Sequence, residues 1–511
     1  MERFVTRHGA RIVGILAGFD RLLCRGTLRS ICYVEGLDKF LSSHHVLYKD
    51  FASYVTQLSD RLKTQAIALA AAAGRPYEYV ASAQVRKEDV ARAIAKRDGV
   101  TEGLVCVLSC VEPCHSFTIR RDREAKRLRL VRGERKCLHL YFYFVDRDFG
   151  LMHVRLQTWL PLTIQVCVNG RDWLARQLTK AGVAFTQVDN CLTAIADVSR
   201  AQTLADDVID WPWERWLRRL GQLVNPWVRP DGGLFHDYYW TVRQSEYATD
   251  VMFQNAAAVH AIYPALLRHG IEMFHSEDVL RFLGHRPSLG FTREVHSDLQ
   301  RRLEGVRIKH WVNENSIKMY DKAGSVVRIE TTINNPDRFK VRRKNATHQL
   351  TWLPLRKGIA DMRRRAAIGR AANARYLDAL SVVGEPTPSH HLLDPVSERV
   401  MHDGRPYRAL HPISPQEAPL LRVVLRGEFH VHGFSNRDIR AVLLPETDTT
   451  PDPARQRHAS ARVTRQLRLL RAHGLIKKVP RTHVYRVTKQ GAAIMSTAVR
   501  FRDTDVALLA A

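Results

Sequence analysis

The sequence is poor in cysteine and contains no long hydrophobic run, and both shortages limit what kind of protein it can be. It has 8 cysteines in 511 residues, all before Leu192 and none in a CxxC pair. This argues against a disulfide framework and favours a reducing, cytoplasmic setting. No segment approaches the roughly 18 apolar residues of a membrane helix. The apolar segment 12–19 runs straight into Asp20 and Arg21, without a small-residue cleavage site, so we expect no secretory leader.

Acidic residues are also scarce relative to basic ones. The chain has 79 Lys and Arg against 52 Asp and Glu, a net charge of +27. Such an excess favours a nucleic-acid partner, bound through phosphate contacts and counterion release. A membrane partner is not expected, because neither a basic amphipathic helix nor a lipidation motif is present. DNA is the expected partner, and RNA stays open because basic helices and aromatic residues also serve single strands.

The order of strand-like and helix-like segments predicts an α+β fold: an antiparallel sheet with helices, a helical middle region and a C-terminal winged helix-turn-helix. The strand patterns concentrate in 103–168, between turn residues such as Gly133 and Gly150. The predicted domains are an α+β sheet domain over 1–196, a helical domain over 197–300, a β-hairpin over 301–350 that rejoins the N-terminal sheet, a basic helix and linker over 351–415, and the winged helix-turn-helix over 416–500.

Two groups of aromatic residues stand out in the region predicted to be helical. Trp211, Trp213 and Trp216 form one group, and Tyr238, Tyr239 and Trp240 form the other. Helix packing explains both groups. Stacking on unpaired bases is the alternative explanation.

The segment 310–335 predicts two strands around the turn 321–324. In a strand, alternate residues share a face, so Tyr320 lies on one face of the first strand, and Arg328 and Glu330 lie on one face of the second. A hydroxyl, cations and a carboxylate can therefore meet on this hairpin. A purely structural hairpin does not need that combination, and we select Tyr320, Lys322, Arg328 and Glu330 as candidate catalytic residues.

The hairpin pattern SIKMYDK followed by VRIE resembles a region of rolling-circle replication initiators and relaxases, over about twenty residues. In those enzymes a tyrosine attacks a DNA phosphodiester with the help of a metal ion. The resemblance implies that Tyr320 is the nucleophile, that Lys322 or Arg328 contacts phosphate, and that Glu330 binds metal or orients the site. The family's His-hydrophobe-His motif is missing from the preceding strands. The alternative is that Tyr320 packs or caps and that Arg328 pairs with Glu330 or a neighbour.

Three further carboxylates are candidate ligands for Mg²⁺ or Mn²⁺, besides Glu330. Asp20 interrupts an apolar strand pattern, which is similar to the first strand of RNase H-like nucleases. Asp146 and Asp148 follow the apolar segment 137–145, and carboxylates at a strand end can hold Mg²⁺. The alternatives are a salt-bridged Asp20 and a solvated turn for the other two. If the hairpin is catalytic, Glu330 should lie within a few ångströms of one of these aspartates.

Basic residues concentrate after the hairpin and again near the end of the chain. The first group of candidate nucleic-acid contacts comprises Arg342, Arg343, Arg363, Arg364 and Arg365. The second group lies in 416–500, where three helices, with Ser435 as N-cap of the second, precede a β-hairpin and a final helix. Val463, Leu467, Leu470 and Leu475 form an apolar stripe along the third helix. Arg462, Arg465 and Arg468 flank the stripe, and Lys477, Lys478 and Arg481 belong to the hairpin.

This helix-helix-helix-hairpin order resembles the winged helix-turn-helix of bacterial transcription regulators of the multiple-antibiotic-resistance type. The resemblance covers about the last eighty residues and implies that Arg462, Arg465 and Arg468 enter the major groove, with Arg481 on the wing. A winged helix used for protein contacts is the alternative.

Two functions fit these observations. The first is a nucleic-acid-binding enzyme of a mobile genetic element, a metal-dependent nicking enzyme, nuclease or replication initiator that finds its site with the winged helix. The second is a non-catalytic binder, either a transcription regulator or the protein part of a ribonucleoprotein. A plain regulator rarely needs some 400 residues ahead of its reader, which favours the enzyme.

Overall fold

The structure, a computed structural model, describes residues 1–82, 84–124, 126–285, 295–302, 305–345, 347–383, 389–445, 452–480 and 482–504. Its helices are α1 Glu2–His8, α2 Val34–Ser43, α3 Phe51–Ala72, α4 Lys87–Arg97, α5 Gly170–Lys180, α6 Val198–Asp207, α7 Trp213–Val224, α8 Ala256–His260, α9 Tyr263–Glu272, α10 Ser276–Phe282, α11 Met362–Leu380, α12 Ser389–Leu393, α13 Ala418–Val424, α14 Gly427–His432, α15 Asn436–Leu443, α16 Pro453–Ala472 and α17 Lys489–Asp503. Within these ranges, no helix combines the length and the apolar composition needed to cross a membrane.

The strands are β1 Ile12–Thr27, β2 Tyr77–Tyr79, β3 Gly103–Asp122, β4 Arg127–Asp146, β5 Gly150–Gln157, β6 Ile164–Asn169, β7 Phe185–Gln187, β8 Leu192–Ile195, β9 Tyr239–Phe253, β10 Val295–Arg302, β11 Gly305–Val312, β12 Asn315–Lys322, β13 Val326–Ile333, β14 Lys340–Lys344, β15 Leu350–Pro354, β16 Val400–His402, β17 Arg405–Tyr407, β18 Ile476–Lys478 and β19 Tyr485–Val487. The chain divides into two compact units. The sheet unit comprises Gly14–Asp250 and Glu330–Arg370, and the terminal unit comprises Met1–Val13, Val251–Ile329 and Ala371–Ala511.

The sheet unit is built on strands in the order β9-β1-β6-β5-β4-β3-β2. From β1 to β3 each neighbouring pair is antiparallel, and β2 alone runs parallel to its neighbour β3. The last part of β13, from Glu330 onwards, lies on the other side of β9. A large, mostly antiparallel sheet with helices confirms the predicted α+β class. The meander predicted over 103–168 is also present, with β3 and β4 each 20 residues long.

Helix α4 covers part of this sheet with an apolar face. Ala91 and Ile94 of the helix form one buried cluster with Leu108 of β3 and Tyr143 of β4. Burying a side chain such as Ile94 or Leu108 contributes about 1.5–3 kcal/mol. Charged residues occupy the first turn of α4, where Glu88 and Asp89 complement the positive end of the helix.

The first group of aromatic residues forms part of the core of the sheet unit. Phe149 is the centre of this cluster, with ring centroids 4.7–5.6 Å from those of Trp173, Trp211, Trp213 and Trp216. The packing interpretation is therefore confirmed for the tryptophans at 211, 213 and 216. Tyr239 of the second group is different, because 41% of its surface is exposed.

The prediction of a mostly helical segment over 197–285 is wrong for its middle. Residues 239–253 form β9, a strand of 15 residues. The segment has β-branched and aromatic residues, among them Val242, Tyr247 and Thr249, which favour a strand. The prediction missed this strand because the tryptophans and the helices α6 and α7 come shortly before it in the sequence.

The terminal unit contains the predicted hairpin. Strand β12 pairs antiparallel with β11, which pairs with β10, and β13 follows β12 after the turn at Gly324, whose φ of 73° suits glycine. Ile317 and Met319 are buried as expected. The expected polar face of the second strand is not exposed, because every residue of β13 is buried, including Arg328.

The C-terminal part of the terminal unit has the predicted order of elements with one addition. The short helix α14 lies between the first two expected helices, and β18 pairs with β19 as the hairpin. Ser435 caps α15 through its side chain, as predicted. On α16, Val463, Leu467 and Leu470 are buried, which confirms this part of the apolar stripe. Leu475 is also buried, but it lies after the helix, which ends at Ala472. The function of this module stays a prediction.

Candidate metal centre

Three carboxylates from three neighbouring strands converge in the sheet unit. Asp20 lies on β1, Glu246 on β9 and Glu330 on β13, and the strand order is β13-β9-β1. One carboxylate oxygen from each residue lies within 4.8 Å of the other two. Asp20 and Glu330 are buried, and Glu246 is half-buried. These three residues are called the carboxylate cluster below.

A close approach between α5 and β1 fixes the position of Asp20. A side chain at Gly170 would place its Cβ 2.0 Å from the backbone oxygen of Phe19, so only glycine allows the helix to start there. Asn169 caps the helix by accepting hydrogen bonds from the backbone N–H groups of Arg171 and Asp172. The first turn of α5 is thereby held against the strand directly before Asp20.

This packing brings Arg171 to the cluster. Its side chain is almost fully buried, and its Nη2 lies 3.0 Å from Asp250 while its Nε lies 3.9 Å from Asp20 Oδ1. Asn190 donates a hydrogen bond of 2.8 Å from Nδ2 to the same Oδ1. Because Arg171 is shared between two carboxylates and is closer to Asp250, it orients Asp20 without forming a close ion pair with it.

The other side of the cluster is more open. Gln244 donates a hydrogen bond of 2.7 Å from Nε2 to Glu246 Oε1. Arg21 lies close enough to Glu246 and Asp20 for their charges to act on it. Burial alone would lower the pKa of Arg21, but the charges of Cys167, Glu246, Glu88 and Asp20 raise it overall. The cluster therefore has an exposed cation at its edge.

The donor set suits a hard divalent cation. Mg²⁺ takes oxygen ligands at 2.0–2.1 Å in octahedral geometry, which puts ligand oxygens about 2.9 Å or about 4.2 Å from each other. The limit of 4.8 Å between the three oxygens is compatible with this spacing after a small contraction. Carboxylates are also the ligands that Mg²⁺ and Mn²⁺ prefer over thiolate or imidazole. Asp20, Glu246 and Glu330 are thus the residues that would hold such an ion.

The structure brings together two of the four metal ligands selected from sequence, Asp20 and Glu330. The other two are engaged elsewhere. Asp146 Oδ1 accepts hydrogen bonds from the backbone N–H groups of Asp148 and Phe149, which closes the turn after β4. Asp148 forms an ion pair of 2.6 Å with Lys180. Within the described ranges, the only group of three converging donors is the carboxylate cluster.

The remaining hairpin residues belong to the terminal unit. Tyr320 is half-buried on β12, opposite Arg307 of β11, and the Nζ of Lys318 lies 5.2 Å from its ring centroid. Lys322 is half-buried at the end of the same strand, and Arg328 is fully buried. These placements fit a structural role for Arg328 and leave the role of Tyr320 to experiment.

The predicted nucleic-acid contacts differ in exposure. Arg342, Arg462, Arg465, Arg468, Lys477 and Lys478 are exposed. Arg363 pairs with Asp210, and Arg343 and Arg364 pair with Asp361. Arg365 is fully buried and donates to the backbone oxygen of Val242 at 3.2 Å, so it is a core residue rather than a surface contact. Arg481 lies outside the described residues.

Sequence reasoning missed Glu246 and Arg171. Glu246 was hidden because its segment was interpreted as helical. The alternation around it, with Val242, Tyr247 and Thr249 as β-formers, was the signal that could have placed it on a strand. Arg171 carried no local signal, because its role depends on the approach of α5 to β1.

Comparisons with known proteins add no relative: no family model, no curated protein and no solved structure matches the chain.

Proposed function

We propose that this protein is a divalent-metal-dependent enzyme that cuts phosphodiester bonds in nucleic acid, as a nicking enzyme or nuclease of mobile DNA. One observation carries the proposal: three carboxylates from neighbouring strands converge within 4.8 Å in a chain with a net charge of +27. The positive charge supplies a reason for nucleic acid to bind. The carboxylates supply a reason for a metal to be held where the backbone is cut.

Asp20, Glu246 and Glu330 would hold the ion. When bound, a divalent cation polarises a phosphoryl oxygen and offsets the negative charge that develops as the phosphodiester bond breaks. Arg171 and Asn190 keep Asp20 in one orientation through the contacts at 3.9 and 2.8 Å. Gln244 does the same for Glu246. Arg21, exposed beside the cluster, is placed to contact a phosphate oxygen.

Cleavage has two versions that differ in the attacking oxygen. In hydrolysis, water forms the new P–O bond, the old P–O bond breaks, and the leaving oxygen takes up the proton. In the nicking version, the Tyr320 oxygen would form the new P–O bond, the old P–O bond would break, and the leaving oxygen would take up the phenol proton. The phosphate would stay covalently joined to Tyr320, as the resemblance to replication initiators implies. The exposed basic residues of α16 and the β18–β19 hairpin, including Arg462 and Lys477, are consistent with a module that finds the DNA site.

The test is cleavage of supercoiled plasmid and of single-stranded DNA and RNA, with Mg²⁺, with Mn²⁺ and with EDTA. Asp20→Asn and Glu330→Gln should lower the rate by at least about 100-fold, because a bound ion supplies several kcal/mol and 1.36 kcal/mol is tenfold in rate. Asp148→Asn is the matched control, a carboxylate of the same unit outside the cluster, and should cut at the wild-type rate. Circular dichroism checks that each variant is folded.

Tyr320→Phe separates the two versions. A protein–DNA adduct that survives denaturing electrophoresis and is lost in this variant supports the nicking version. Cleavage at the wild-type rate by Tyr320→Phe supports hydrolysis. Salt-sensitive binding without cleavage in any metal would contradict the enzyme and favour the non-catalytic binder, a regulator or a ribonucleoprotein component. Sequencing the nucleic acid that copurifies decides between DNA and RNA.

A further inference from the structure

Strand β1 carries a row of arginines that starts at the residue after Asp20. Arg21, Leu23 and Arg25 alternate along the strand and so share one face. Their partners in β6 run without interruption from Asn169 to Gln165, so no bulge breaks this alternation. Arg29 follows just after the strand ends. By the same alternation, Asp20 points to the opposite face of β1. Arg21 and Arg25 are about 13 Å apart along the strand, at about 3.3 Å per residue.

Neighbouring strands add cations to this face. Gln165 of β6 lies directly opposite Arg25 on one side and opposite Arg155 of β5 on the other. Arg155 is already neutralised, because it pairs with Glu112 at 2.8 Å. On β9, Arg243 is exposed and lies close enough for its charge to act on Arg25.

The arginines of this face lack the carboxylate partners that other arginines have. In the described part of the chain, Arg21, Arg25, Arg29 and Arg243 form no direct ion pair, whereas Arg92, Arg129, Arg155 and Arg218 each do. The Nε of Arg25 is buried and has no hydrogen-bond partner among the described residues. Burial, followed by the positive charges of Arg243 and Arg155, lowers the pKa of Arg25. An anion placed here would relieve this crowding.

An aromatic side chain stands at the far end of the same face. Arg29 stacks on Tyr239 of β9, with its Cζ 3.5 Å from the ring centroid. Tyr239 is 41% exposed, although its neighbours Tyr238 and Trp240 are buried. The pair presents a flat, partly open surface on which a base can stack. Arg21, Arg25, Arg29, Arg243 and Tyr239 are called the arginine track below.

We infer that the arginine track binds a single-stranded segment of nucleic acid, with its phosphates on Arg25 and Arg243 and a base on Tyr239. This binding does not rest on the proposed function. A single strand fits better than a duplex, because bases within a duplex are already stacked and have no free face for Tyr239. Unpaired bases on an open sheet face, beside cations that contact the backbone, are a recurrent mode of single-strand recognition.

The test measures binding without cleavage. The protein carries Asp20→Asn, the buffer contains EDTA, and the probes are fluorescent 20-nucleotide oligo(dT) and oligo(U) and a 20-base-pair DNA duplex. Fluorescence anisotropy is recorded over a range of salt concentrations. Arg25→Gln with Arg243→Gln should lower the slope of log K against log salt by about 1.4 for single strands, because each phosphate contact contributes about 0.7. The same slope change corresponds to about a tenfold weaker binding at 0.15 M salt.

Matched controls separate the arginine track from general positive charge. Arg120→Gln with Arg129→Gln removes two exposed arginines that lie directly opposite each other at the other end of the sheet, on β3 and β4, and should leave the slope unchanged. Tyr239→Leu should weaken single-strand binding on the order of tenfold, and Tyr239→Phe should preserve it, because the ring and not the hydroxyl stacks.

An unchanged slope in the Arg25/Arg243 variant, or an equal loss in the control pair, would overturn the inference. Duplex binding that falls as much as single-strand binding would overturn the choice of a single strand. These results do not depend on the proposed reaction, since no metal is present. A protein that never cuts but shows the expected slope change would lose its proposed function and keep the arginine track.

Discussion

Each unit has a group of three acidic residues of which two are buried, and the two groups are arranged in opposite ways. The group in the terminal unit comprises Glu277, Asp278 and Glu428. In the terminal unit, Asp278 of α10 accepts hydrogen bonds from the backbone N–H groups of His275 and Glu428. Glu428 of α14 is flanked by Arg281 at 3.1 Å and Arg426 at 3.4 Å. In the sheet unit, one oxygen from each residue of the carboxylate cluster lies within 4.8 Å of the other two, and Arg171 is closer to Asp250, at 3.0 Å, than to Asp20, at 3.9 Å.

Protonation is a further feature of the group in the terminal unit. Burial, followed by a hydrogen bond shared with Glu277, raises the pKa of Glu428 to about 9, and the same hydrogen bond lowers the pKa of Glu277. One proton thus neutralises part of the group in the terminal unit. Backbone donors contact Asp278 and two arginines flank Glu428, so we assign this group a structural role. Convergence of the oxygens on a common point, which the carboxylate cluster has, distinguishes a candidate metal site from such a group.

The largest effect on stability is expected from Arg171→Met. Arg171 and Asp250 are both almost fully buried, and removing Arg171 breaks their ion pair of 3.0 Å, which costs about 3–5 kcal/mol of unfolding free energy. Urea unfolding followed by tryptophan fluorescence measures the change. Adding Asp250→Asn should restore much of the loss. Arg281→Met in the terminal unit should cost less, since Arg426 and the shared proton remain beside Glu428. Equal losses of unfolding free energy in Arg171→Met and Arg281→Met would contradict this difference between the two groups.

Metal binding gives the next largest effect. Mn²⁺ at a hundred times its dissociation constant should raise the unfolding free energy of the wild type by about 2.7 kcal/mol, since only the folded chain gathers the ligands. Glu330→Gln should abolish the gain. Glu428→Gln, an equally buried glutamate in the other group, should keep it. A gain of the same size in Glu330→Gln would show that the metal binds somewhere else.

The protonated glutamate predicts a particular dependence on pH. The ordinary pKa of Glu428 is 4.5, and in the folded chain it is about 9. The folded state therefore holds an extra proton between these values, so its contribution to stability is complete below pH 4.5 and is lost as pH rises towards 9. The slope is at most about 1.4 kcal/mol per pH unit. Glu428→Gln should flatten the curve of unfolding free energy over this window, and an unaltered curve would contradict the shared proton.

Glu112 in the sheet unit should behave in the opposite sense. Burial alone would raise its pKa, but hydrogen bonds from Lys87, Tyr141 and Arg155 lower it to about 2. Its contribution is therefore present above pH 4.5 and lost as pH falls towards 2. Glu112→Gln should weaken the fold at pH 7 and remove part of the acid sensitivity, measured by urea unfolding across pH 2–5. Acid sensitivity equal to that of the wild type would count against this assignment.

Some features of both units were predictable from the sequence, because local patterns indicate them. Asp20 was selectable because it interrupts an apolar strand pattern, where an ionised carboxylate needs a reason to be buried. Glu330 was selectable because strand alternation puts it on the same hairpin face as Arg328. Ser435 and the stripe on α16 were predictable because caps and helical spacing are local signals.

The rest depends on contacts between distant parts of the chain. Glu246 could be selected as a ligand only if its segment was assigned to a strand, β9, and the local pattern favoured helices around it. The pairing of Arg171 with Asp250 follows from the contact of Gly170 with Phe19, which no local pattern encodes. Arg365 looked like one of three equivalent surface arginines, but packing of α11 buries it and leaves Arg363 at the surface. Tertiary packing decides whether a charged residue is buried. Composition therefore cannot predict which of several neighbouring arginines is exposed.

The smallest effect on stability is expected from Asp148→Asn. This variant also tests whether the metal binds at the carboxylate cluster. Asp148 and Lys180 form an ion pair with side chains 25% and 44% exposed, and such pairs contribute about 0–1 kcal/mol. The unfolding free energy should therefore fall by less than about 1 kcal/mol, and less still at high salt. The gain with Mn²⁺ should equal that of the wild type. If Asp148→Asn instead removed the gain in unfolding free energy with Mn²⁺, the metal ligands would include the strand-end aspartates. Convergence of oxygens within 4.8 Å would then not identify the metal site.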